Sequence, residues 1–95
     1  MMICKVVGHV WATKKEESLE GKKLMVVIQC DAHGEAEAGE SFVAADLVCA
    51  GIGDRVLVVN GSTARKALGG DSVPIDAAIV GVIDSVELDR AKYTF

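Results

Sequence analysis

Three stretches of this sequence carry residue types that could do chemistry. Cys30-Asp31-Ala32-His33 spaces a thiol and an imidazole like half of a metal site, with Cys49 as a conceivable third ligand. A structural zinc needs four ligands in closed geometry, and no second pair at ligand spacing exists, so no metal is expected. Gly51-Ile52-Gly53 is not a dinucleotide fingerprint. Val56 stands where a third glycine would be, and the pair precedes an apolar run instead of following one. Gly61-Ser62-Thr63-Ala64-Arg65 does follow such a run and opens a short helical pattern, the setting in which backbone amides attract anions. It lacks the Gly-Lys-Ser/Thr of a nucleotide P-loop. Neither His9 nor His33 has a nucleophile or carboxylate that the sequence can place beside it, and Glu16-Glu17 reads as a solvated pair. No catalytic residue and no cofactor are expected.

The elements that position these residues follow from local pattern. Val56-Leu57-Val58-Val59 is a β-branched run of strand length, entered through the turn Gly51-Ile52-Gly53-Asp54 and ended by Asn60-Gly61. Ser62 is the expected N-cap of a helix of about a turn and a half through Leu68, closed by Gly69-Gly70. Residues 3–13 read as a long strand bent at Gly8, and Leu24 to Ile28 as a second strand buried on both faces. Between them, 14–22 is a polar surface connection. The acidic, glycine-spaced stretch 31–40 reads as a mobile loop. Strands follow over 41–45 and over 77–87, the latter the longest, and 92–95 is an edge strand or a tail. These elements predict one mainly β domain over 1–95: a small OB-like barrel of five to six strands with one short α-helix plugging an end.

The same residues carry a resemblance. Gly51-x-Gly53-Asp54, the strand after it and Gly61-Ser62-Thr63-Ala64-Arg65 look like the signature of the EutN/CcmL family of bacterial microcompartment vertex proteins. Pro74 to Asp84 resembles that family's closing strand, and Lys5 to Thr13 its first; the similarity runs nearly end to end and in order. The resemblance implies a homopentamer that caps the five-fold vertices of a microcompartment shell and meets hexameric shell proteins at its outer flank. Gly61, Ser62, Thr63 and Arg65 would then lie at the subunit interface or around the axis. The bottom-up alternative for that stretch is a helix cap, with Arg65 pairing to a carboxylate across an interface. Gly51, Gly53 and Asp54 would shape a supporting turn, with glycine required for close backbone approach, so Gly53→Val should disrupt folding or assembly.

Composition narrows the function classes independently. The 95 residues suffice for one domain, yet 51% of them are apolar, which leaves more apolar surface than a lone small monomer usually exposes. Association with copies of itself is the expected resolution. A net charge of −4 and four aromatic residues (Trp11, Phe42, Tyr93 and Phe95) disfavour a nucleic-acid binder. No apolar run reaches the ~20 residues of a membrane helix, so no membrane partner is expected and a cytoplasmic location is. Two rivals remain: an OB-type module for single-stranded nucleic acid, and a small metal- or ligand-binding protein using Cys30, His33 and Cys49. Salt-dependent oligonucleotide binding and metal analysis discriminate them.

Overall fold

The computed structural model describes residues 1–31, 37–70 and 73–89. Five strands, β1 (Met2–Val10), β2 (Lys23–Cys30), β3 (Glu37–Asp46), β4 (Arg55–Asn60) and β5 (Ala77–Val82), close into a barrel in the order β1-β2-β3-β5-β4. All seams are antiparallel except β3–β5, which is parallel and joined through Ala45↔Ala78 and Asp46↔Ile79. One helix, α1 (Gly61–Ala67), follows β4 directly, and a 3-10 turn, Glu17–Leu19, interrupts the β1–β2 connection. This is the OB-like barrel that the sequence predicts, with five strands.

The barrel closes because period-2 alternation sends one side of each strand inward. Cys4 and Val6 of β1, Met25 and Val27 of β2, Val56 and Val58 of β4 and Ile79 of β5 form one solvent-free interior. The expected bend in β1 is real. The β1–β2 register shifts between Val6 and Gly8, leaving Val7 as the extra, outward residue of a bulge. Such a bulge curls a strand around a small barrel.

Several expectations are corrected. The helix does not plug an end. Ala64 and Leu68 pack with Ala45, Val59 and Ala78, which alternate with the interior residues Ala44, Val58 and Ile79. Opposite parity puts α1 against the outer face of the β3–β5–β4 wall, where small alanines allow close approach. β2 is not buried on both faces: Met25 and Val27 are fully covered, whereas Leu24, Val26 and Ile28 are half-exposed on the outside. Residues 37–40 are strand, not loop, because Ala38 and Glu37 pair with Gln29 and Cys30. β5 ends at Val82, well short of residue 87, and β3 is the longest strand. His33, residues 32–36 of the acidic stretch and the 92–95 segment lie outside the described residues.

Asp46 ends β3 as a local hub. Its carboxylate accepts the amides of Val48 (3.0 Å) and Ala50 (2.8 Å), turning the chain back as aspartates do. Lys23, its cross-strand partner, donates to the Ala50 carbonyl at 2.9 Å and lies 3.6 Å from the Asp46 carboxylate.

Candidate functional site

The turn Gly51–Asp54 is built by two reciprocal bonds. The Asp54 amide donates to the Gly51 carbonyl at 3.0 Å, and the Gly51 amide donates to Asp54 Oδ2 at 2.8 Å. Gly53 takes φ +94°, a conformation that L side chains avoid. Its amide reaches the Val6 carbonyl at 2.8 Å, and Val6 in turn donates to the Asp54 carbonyl at 2.9 Å. The turn therefore docks on β1 where the bulge begins. Close backbone approach is not the reason for glycine at 53: a Cβ built there meets nothing within 4 Å. The reason is the positive φ.

At the other end of β4, the chain reverses through Asn60 and Gly61. Gly61 takes φ +64°, and its amide donates to the Asp76 carbonyl at 2.8 Å. Ser62 is not the N-cap. Asn60 holds that position in an extended conformation and makes no side-chain capping bond, so the helix begins before the serine signal. Ser62 and Thr63 are exposed, Ala64 is buried and Arg65 is half-buried. The expected glycine closure is present: Gly70 donates to the Arg65 carbonyl at 2.9 Å and Gly69 to that of Lys66 at 3.4 Å, both glycines having positive φ. That is the Schellman arrangement. No carboxylate among the described residues pairs with Arg65, whose charge sits favourably in the last turn of the helix.

The predicted residues thus form two groups. Gly51, Gly53 and Asp54 sit at one end of β4, while Gly61, Ser62, Thr63 and Arg65 sit at the other, roughly 20 Å away for a strand of this length. The turn fixes β4 to β1 and does not touch the helix residues directly.

Sequence reasoning missed a third surface. His9 and Trp11 stack with ring centroids 5.6 Å apart and planes 23° from parallel, although Trp11 is 87% exposed. The His-x-Trp spacing, which puts both rings on one side of a strand, was the available signal. A largely apolar groove of about 210 Å³ is lined by Leu19, Leu24, Val43, Pro74 and Ile75 with Asp76. Val7, Leu47, Ile52 and Val82 are further exposed apolar residues on the barrel. Among the described residues no group of three metal-ligating side chains converges. Two perturbed acids among the described residues have local causes. Burial, then the neighbouring Cys30 thiol, pushes the Cys4 thiol up to about 11. The Ser18 hydroxyl and then its amide hold the Glu16 carboxyl below its ordinary value.

Comparison with known proteins accounts for this combination of small closed barrel, apolar exterior and sparse chemistry. Residues 1–84 match the family described as ethanolamine utilisation protein EutN/carboxysome. The bacterial microcompartment shell vertex protein PduN of Salmonella typhimurium is 42% identical over 89 residues, spanning 90% of this chain and 98% of its own length. The carboxysome shell vertex protein CcmL of Synechococcus elongatus is 44% identical over 90 residues, spanning 95% of this chain and 90% of its own. Among solved structures, the GrpN pentameric microcompartment shell protein from Rhodospirillum rubrum superposes with a TM-score of 0.81 at 44% identity, covering 94% of this chain and 99% of that one. By sequence and by fold, the chain belongs to the EutN/CcmL family.

Proposed function

We propose that this chain is a structural shell protein whose homopentamers cap the five-fold vertices of a polyhedral bacterial microcompartment. The observation that carries the reading is the end-to-end match to a pentameric shell protein, GrpN, in both sequence and fold. The physics of the monomer agrees. The barrel closes on itself, with β3–β5 joined only through Ala45 and Asp46, so most of its outer surface is side-chain face. That surface carries large apolar side chains, with Trp11 and Ile52 more than half exposed. A ring of five uses heterologous contacts, one patch of each copy meeting a different patch of the next.

The role is geometric. Flat layers of six-fold units close into a polyhedron only where five-fold units are inserted, and the outer flank of the ring would meet hexameric shell proteins. Gly61, Ser62, Thr63 and Arg65 would lie at the subunit interface or around the axis, where Arg65, unpaired among the described residues, would find a carboxylate on the next copy. The OB-like topology does not by itself favour nucleic-acid binding, because that barrel hosts unrelated functions. Native mass spectrometry of the untagged protein over a concentration series tests the reading. A dominant five-copy species is expected; a monomer at every concentration overturns it.

A further inference from the structure

The seam between β1 and β2 ends in a pocket of about 180 Å³ walled by His9, Trp11, Lys15, Lys22 and Leu24. Its lining combines basic, aromatic and aliphatic side chains. The Lys15 ammonium is already engaged, by the Ala12 carbonyl at 2.8 Å and by Glu20 at 3.6 Å. Lys22 has no ion partner among the described residues. Trp11 is held by its stack on His9, so its orientation costs little further entropy on binding. An exposed, pre-ordered tryptophan has the properties of an interface anchor.

A matching strip leaves the barrel on another flank. Just past β5 the chain stays against β4 through a bond from the Ile83 amide to the Arg55 carbonyl at 2.8 Å. Residues 82–89 contain no cation. Val82 is exposed, Val86 is half-buried, and the carboxylates of Asp84 and Glu87 face solvent. The strip is thus acidic and aliphatic, the complement of the basic, aromatic pocket. In the barrel order β1-β2-β3-β5-β4, the β1–β2 seam and the β5–β4 seam are separated by β3 on one side and by the β4–β1 seam on the other. One copy can therefore offer the pocket to one neighbour and the strip to a second, as a head-to-tail ring requires.

We infer that the Trp11–Lys22 pocket receives the Val82–Glu87 strip of the adjacent copy of this chain, an assignment that rests on the pentamer reading. Trp11 would pack against Val82 and Val86, and Lys22 would meet Asp84 or Glu87 at the wet edge of the contact. Trp11 is the sole tryptophan, so its emission reports the contact without a mutation. Fluorescence is followed with native mass spectrometry over a dilution series. Emission shifting to the blue as five-copy rings form is the expected result. The Lys22→Glu variant and the Asp84→Lys/Glu87→Lys variant should each raise the concentration for half-assembly about tenfold, and combining them should restore it. Rings whose Trp11 emission matches that of the dissociated chain overturn the inference and leave the pentamer reading standing. So do single variants that assemble like the parent. A chain that never forms rings overturns the pentamer reading itself.

Discussion

Gly51 and Asp54 hold each other twice, through the Asp54 amide on the Gly51 carbonyl and the Gly51 amide on the Asp54 carboxylate. The pair frames a four-residue turn in which only Gly53 has positive φ. Two glycines that look alike in the sequence therefore have different duties.

That difference is measurable by urea unfolding. Gly53→Ala should destabilise by about 1–2 kcal/mol, because an L residue is forced into the left-handed half of backbone space. Gly51→Ala should change stability by less than about 0.5 kcal/mol, since its Cβ would meet only Asp54 Oδ2, at an ordinary 3.8 Å. Equal losses at the two positions would refute this division.

Ser62 should matter to the ring and not to the fold. With no capping bond to lose, Ser62→Ala should stay within about 0.5 kcal/mol of the parent, where a true N-cap would cost about 1. Ser62→Asp tests the axial proposal. Like charges gathered around a five-fold axis should dissociate rings in dilute salt and let them re-form in concentrated salt. Rings indifferent to this change, at every ionic strength, would remove Ser62 from the axis.

Cys4 should be chemically silent in the folded protein. Its thiol is fully buried and its pKa is pushed up to about 11, whereas Cys49 is exposed. A thiol reagent at pH 8 should label Cys49 rapidly and Cys4 only on unfolding. The pH dependence has a definite sign. From the ordinary value of 9.0 up to about 11, the unfolded chain ionises this thiol while the folded chain keeps it protonated. Stability should therefore fall over that window as pH rises, and Cys4→Ala should flatten this part of the profile. A profile unchanged by the substitution would assign the alkaline loss elsewhere.

Much of the architecture could be read in the chain because its signals are local. The Val56–Val59 run, the glycines around it and the Gly69-Gly70 closure each encode backbone geometry within a few residues. What escaped depends on partners far away in sequence. Glu37 to Glu40 carry little strand propensity but pair with Gln29 and Cys30 across a hairpin. Ile83 to Leu88 look apolar enough for a strand, yet β5 ends at Val82. The seat of α1 was hidden because Ala45, Val59 and Ala78 differ from their inward neighbours only in parity. The Trp11 pocket was missed for a similar reason: Leu24 reaches it from the start of β2 and Lys22 from just before that strand.

The short parallel seam between β3 and β5 sets an order on folding. The β1–β2–β3 meander joins neighbours along the chain, so its contacts can form early and cheaply. The barrel cannot shut until Ala78 and Ile79 reach Ala45 and Asp46, more than thirty residues back. On the ribosome the first three strands would emerge as an open, curled ribbon with two bare edges, and only the last fifth of the chain would seal it. The span before sealing is when this protein is most exposed to pairing with the wrong neighbour.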